Sequence, residues 1–167
     1  MQEEITYIKN QKKMEKQDFT ATISANITAK EAFNGINNVP NWWNKNIVGS
    51  SEKINDVFTV TFGETFATFK IIEMVADKKV VWLTTDCNLH WMKDKKEWKG
   101  TKMSFEISAK DHATQIHFTH IGLVPGIECF TDCSAGWTHY ITQSLFKLLT
   151  EQKGMPDDPN YSAIEKQ

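Results

Sequence analysis

His120 closes the run Thr-Gln-Ile-His-Phe-Thr-His-Ile (114–121), where every second residue, Ile116, Phe118 and His120, falls on one side of a strand. An imidazole turned inward needs a hydrogen-bond partner and titrates near neutral pH. Two roles fit it: orienting a ligand's carbonyl or hydroxyl, or bonding as a core histidine to a side chain on the facing helix. Cys129 and Cys133 lie four residues apart, on one face if that stretch is helical. Zinc sites normally combine a tight cysteine pair with two further ligands. Cys87 and His117 or His120 would have to supply them, so buried small thiols are the expectation and no metal is assigned. A Cys129–Cys133 bridge inside a helix would strain disulfide geometry. Three cysteines make an odd number, against a secreted disulfide framework, and reduced thiols in a cytoplasm are the simpler reading. Acid–base catalysis demands a positioned pair, and Glu64, Glu73 and Glu128 show no partner in the pattern. Neither a P-loop nor a GxGxxG, GxSxG or HExxH pattern occurs. The residues assign no catalytic group and no cofactor.

Charge and composition narrow the partners. The formal net charge is -2, and all 19 cationic side chains are lysines, set among 21 carboxylates. Nucleic-acid binding favours a basic face rich in arginine, so nucleic acid is not an expected partner. Apolar runs fall far short of the ~20 residues of a membrane helix, and the charged start lacks a signal-peptide core. The lysine-rich stretch 93–99 reads as a solvated loop or, more sharply, as a contact patch for an acidic protein partner.

Elements that would position these groups can be read from periodicity. Residues 1–13 form a polar leader, 14–154 one domain, and 155–167 a C-terminal tail. Phe19, Ala21, Ile23, Ala25 and Ile27 alternate with polar residues, which marks a half-buried strand. Thr28 and Glu31 form a capping box that opens a short helix carrying Ala32, Phe33 and Ile36. Val39-Pro40 interrupts it, and Asn41-Trp42-Trp43 makes a second short turn. One of the two tryptophans is expected in the core and the other at a cavity mouth. Strand patterns follow at 57–62, 65–74, 80–86, 101–109 and 114–121, joined by links short enough for antiparallel hairpins. Between them, 88–100 reads as a mobile loop or irregular strand edge. Phe130, Cys133, Trp137, Ile141, Leu145 and Leu148 then repeat at helical spacing. Gly154 and Pro156 are the stop signal for a helix of about 25 residues, roughly 37 Å long. Gly136, inside it, implies either close approach to the sheet or spare volume beside Trp137 and Tyr140. The fold class is therefore α+β, a curved antiparallel sheet wrapped around a long C-terminal helix, with two short helices after the first strand.

That order resembles the START-like, or SRPBCC, superfamily and its helix-grip fold. Within it, the chain resembles the branch named after the activator of heat-shock protein 90 ATPase, as a stand-alone bacterial domain. The resemblance rests on Asn41-Trp42-Trp43, Val80-Val81-Trp82, Glu97-Trp98-Lys99-Gly100-Thr101, Phe118 through Pro125, Glu128-Cys129-Phe130, Gly136-Trp137 and Ser144-Leu145. It implies an internal hydrophobic cavity, and the superfamily spans lipid binders, polyketide cyclases and co-chaperone domains, so fold alone does not select a function. The leading expectation is a binding module for a small apolar or amphipathic ligand. Its walls would come from Trp43, Phe58, Phe66, Trp82, Phe105, Phe118, His120, Cys133, Trp137 and Tyr140. The alternatives are a co-chaperone-like protein-interaction domain and a cyclase-like enzyme acting on a polyketide-type substrate.

Overall fold

Alternating burial in Phe19–Ala25 (β1) turns Ile23 and Ala25 inward and Thr20, Thr22 and Ser24 outward. The structure, a computed structural model, describes residues 17–158; the leader 1–13 and the end of the tail lie outside them. After β1, the Thr28 hydroxyl accepts the Glu31 amide at 3.0 Å and Glu31 accepts the Thr28 amide at 3.1 Å. This reciprocal cap starts helix α1 (Ala29–Asn37), and a 3₁₀ turn at Val39–Asn41 follows. Six further strands join β1 in an antiparallel sheet: β2 (Ile47–Gly49), β3 (Val57–Phe62), β4 (Thr65–Val75), β5 (Lys79–Asn88), β6 (Lys102–Lys110) and β7 (Ala113–Ile121). Their spatial order is β1-β7-β6-β5-β4-β3-β2. The three-residue edge strand β2 has no counterpart in the sequence pattern, being too short to show a period.

Curvature comes from irregular pairing between β4 and β5. Register shifts between Thr68 and Phe69 and between Ile71 and Glu73 insert unpaired residues that bend the strands. The concave face receives the C-terminal helix α2 (130–151), 22 residues long. Its Phe130–His139 and Phe146–Glu151 portions are α-helical, whereas Tyr140–Leu145 forms a π-helix. This is the helix-grip α+β fold the pattern predicts.

Two details differ from the sequence-based expectation. The helix ends at Gln152, which takes a left-handed conformation (φ 59°), two residues before Gly154. Gly154 serves a different purpose: a Cβ there would collide with the Asn41 and Ser144 carbonyl oxygens. The chain beyond it packs against the segment after the 3₁₀ turn. Met155 N donates to Ser144 Oγ at 2.7 Å, Asp157 N to the Trp43 carbonyl at 2.8 Å, and Lys45 N to the Asp157 carbonyl at 2.8 Å. Trp42 and Trp43 are both buried, correcting the division into one core and one mouth residue. They stack at 6.2 Å, and the Trp42 indole N–H is held by the Ile36 carbonyl at 3.1 Å.

Candidate functional site

Inward-facing positions of β3 to β7 carry Phe58, Phe69, Trp82, Phe105, Phe118 and His120, and α2 supplies Trp137 from above. Trp43 enters from the segment after the 3₁₀ turn. Ring centroids separate by 4.8 Å for Trp43–Trp137, 4.7 Å for Phe118–Trp137 and 4.9 Å for Trp82–Phe105. Offset and tilted pairs at these distances add specific aromatic attraction to area burial. The predicted walls therefore meet one another, and in this conformation their rings close the space between sheet and helix.

Loop 89–100 completes the closure. It inserts Leu89, Met92 and Trp98 into the core, and Trp98 stacks on Trp137 at 5.9 Å and stands edge-on to His120 at 4.9 Å. Two carboxylates tie the loop to the start of α2. Glu97 accepts the Glu128 and Cys129 amides at 3.2 and 2.8 Å, and Glu128 accepts the Lys93 and Asp94 amides at 3.0 and 3.2 Å. The Lys93 and Asp94 amides hold the Glu128 carboxyl below the usual carboxylate range. The stretch, expected as a mobile loop or an irregular strand edge, is a turn-rich loop anchored to the start of α2 by these bonds. Lysines dominate its composition, but Glu128 satisfies its Lys93 and Asp94 amides, and its own Glu97 satisfies the Glu128 and Cys129 amides more than 30 residues away.

His120 is fully buried, and its bonds fix its tautomer. Nδ1 accepts the Trp137 indole N–H at 3.0 Å, so the ring proton sits on Nε2, 2.9 Å from Thr101 Oγ1. The Thr101 hydroxyl in turn donates to the Trp98 carbonyl at 2.6 Å. Burial holds the imidazole pKa down, at about 3, so the ring is neutral. Every polar side-chain atom of His120 is engaged by the protein, as a core histidine facing a helix requires.

The remaining predicted site residues separate. Cys133 joins the core, but its sulfur pairs with Cys129, the Cα atoms being 5.5 Å apart. This corrects the reading of both as reduced thiols: Cys129 lies at the helix start rather than inside it, at a Cα separation suited to bridging. Cys87 is a free, buried thiol, 3.4 Å from the Lys95 carbonyl. Phe66 points the other way. The inward positions of β4 are Thr65, Ala67, Phe69 and Ile71, so Phe66 lies on the convex face with Lys96 Nζ 5.8 Å from its ring. Phe69 holds the position assigned to it. Tyr140 is partly buried at the core's edge and faces an open groove of about 1170 Å³ between α1, α2 and residues 153–158. Burial, and then the Asp157 charge, pushes its hydroxyl up to about 12. Among the described residues, no three His, Cys, Asp or Glu side chains converge as metal ligands, and no helix is long and apolar enough to cross a membrane.

Phe69, which strand parity could have indicated, and Trp98, which pattern reading could not, are core residues absent from the predicted walls. Trp98 stands in a lysine run that reads as loop, and its one signal is a large apolar residue amid charges. Indole hydrogen bonding divides the tryptophans: Trp42 and Trp137 donate to acceptors, whereas the buried N–H groups of Trp82 and Trp98 have none.

No protein-family model and no curated protein sequence matches the chain. Solved structures do. The Aha1 dimer of Colwellia psychrerythraea aligns with a TM-score of 0.65 at 19% identity, covering 80% of this chain and 96% of that one. CalU16 of Micromonospora echinospora aligns at 0.55 and 9% identity, covering 88% and 80%. DynU16, from the dynemicin biosynthetic locus, aligns at 0.58 and 13% identity, covering 81% of this chain and 48% of that one. The shared architecture is the helix-grip fold, a curved antiparallel sheet around a C-terminal helix.

Proposed function

We propose that this chain is a binding module for a small, mostly apolar molecule held between sheet and α2, with loop 89–100 as its cover. The supporting observation is the wall itself. Trp43, Phe58, Phe69, Trp82, Phe105, Phe118, Trp98 and Trp137 form one continuous aromatic surface, of which Trp98 alone arrives on the covering loop. Ligand pockets are predominantly apolar and aromatic with a few placed polar groups. Displacing Trp98 would open that surface without breaking a strand pairing. His120 then acts from behind the wall, as a positioning residue for Trp137.

The test is titration of the full chain with a naphthalene dye, read by tryptophan emission and by melting temperature. Binding should quench emission and raise the melting temperature, since a ligand selective for the native state stabilises it by mass action. Phe118→Leu should change the dye affinity while the fold persists. If the dye leaves emission and melting unchanged at its solubility limit, the core is solid and the reading fails. A protein-interaction role then takes first place. A specific observation favours it: Val48, Ile54 and Val57 expose 72%, 48% and 49% of their surface beside the short edge strand β2. An Aha1-like neighbour is a dimer.

A further inference from the structure

The chain's three cysteines all lie at loop 89–100 or at its anchor. Cys87, near the end of β5, donates its thiol to the Lys95 carbonyl at 3.4 Å. Cys129 donates its amide to Glu97 at 2.8 Å, and its sulfur is bridged to Cys133, about one helical turn on. That bridge is poorly placed as a staple for the whole domain. A disulfide stabilises chiefly by constraining the unfolded chain, and the effect shrinks with the length of chain enclosed. Here the sequence separation is only 4, and both cysteines belong to the start of α2, so no two elements are tied together.

What the bridge fixes is the first turn of α2. Cys129 caps that turn without a side-chain hydrogen bond, and the Cys133 amide donates to the Cys129 carbonyl at 2.8 Å. Helix starts leave amides unpaired and fray unless something holds them. The same short segment carries the loop's anchor: Glu97 accepts the Glu128 and Cys129 amides, and Glu128 accepts the Lys93 and Asp94 amides. Resting on the reading of loop 89–100 as a cover, we infer that Cys129–Cys133 is a reversible thiol–disulfide modification site for small dithiols, whose oxidised form holds the loop down. One thiolate of the dithiol attacks Cys133 Sγ, the sulfur–sulfur bond breaks, and Cys129 leaves as thiolate and takes a proton. The second thiol then displaces Cys133, so the protein gains both thiols and the reagent is oxidised to its own disulfide. Cys129 and Cys133 are 0% and 7% exposed, so the reagent reaches the bridge when the loop lifts.

The full chain, oxidised with glutathione disulfide and then reduced with dithiothreitol, supplies both forms without any substitution. Alkylation in denaturant should find Cys87 as the one free thiol of the oxidised form and all three cysteines free in the reduced form. Native-state hydrogen exchange then compares the two. Reduction should raise exchange at 128–133 and at the Lys93 and Asp94 amides about ten-fold, the equivalent of one lost hydrogen bond, while β6 and β7 hold steady. Glutathione disulfide should restore the slower rates. Glu97→Ala, which loosens the loop, should speed reduction. Equal exchange in the two forms overturns the inference and leaves the bridge a local link of the helix start. Three free thiols after oxidation overturn it as well. Acceleration that includes β6 and β7 also overturns it, because the bridge would then act on the whole domain. These readouts use no apolar ligand, so the binding proposal stands or falls separately, on the dye titration.

Discussion

At the scale of single residues, His120 shows how a fold removes a titration from the physiological range. Its two nitrogens are engaged by Trp137 and Thr101, and burial lowers its pKa from 6.5 to about 3. The unfolded chain therefore binds a proton at this side chain below about pH 6.5, while the folded chain refuses it until about pH 3. Stability is greatest above the unfolded value and falls as the pH drops through that window, by up to about 1.4 kcal/mol per unit. Imidazole NMR signals should report the Nε2–H tautomer with no titration between roughly pH 8 and pH 5. A His120 midpoint near its ordinary value would show that the ring reaches water. The strand parity of Ile116, Phe118 and His120 makes this inward placement legible in the sequence, and parity also directs the ring at a partner on the facing helix. Phe66 is the contrasting case: its size suggests burial, but parity assigns the inside to Ala67 and Phe69. Trp98 is beyond such reasoning, because a loop has no period to follow.

At the scale of elements, the two glycines of the C-terminal region have opposite meanings. Gly136 sits in α2 with nothing within 4 Å of a Cβ placed on it, which rules out the close approach to the sheet. Gly154 lies against the backbone of the Asn41–Trp42 segment and of Ser144. Gly136→Ala should therefore stabilise the protein by up to about 1 kcal/mol through helix propensity. Gly154→Ala should destabilise it and release the hydrogen bonds made by Met155 and Asp157. Urea midpoints of the two variants check the signs, and a loss of stability in Gly136→Ala would mean that the π-helical turn beside it depends on glycine. Periodicity locates α2 and its apolar face, since Cys133, Trp137, Ile141 and Leu145 are all buried. It cannot show the π-helical turn at Tyr140–Leu145. Within that turn Ser144 donates to the Trp42 carbonyl at 2.6 Å, a tertiary bond of which sequence spacing carries no trace.

Across the whole molecule, access to the aromatic wall depends on whether loop 89–100 opens apart from the rest. β6 and β7 are paired on both sides within the sheet, so their amides exchange through the largest openings. Loop amides depend on short turns and on the Glu128 carboxylate, while Glu97 ties the loop to the start of α2, which is the profile of a low-stability unit. The apolar anchors opposing this are Leu89, Met92 and Trp98, the last stacked on Trp137. Hydrogen exchange on the full chain should show the loop opening well below the global unfolding free energy. Glu97→Ala removes the acceptor for the Glu128 and Cys129 amides, so exchange at 128–130 and in the loop should rise at least about ten-fold, as expected for two lost hydrogen bonds. Rates in β6 and β7 should hold steady. If loop and sheet accelerate together, Trp98 leaves only when the domain unfolds. The aromatic wall is then a permanent core, with no route by which a ligand could reach it in the native state.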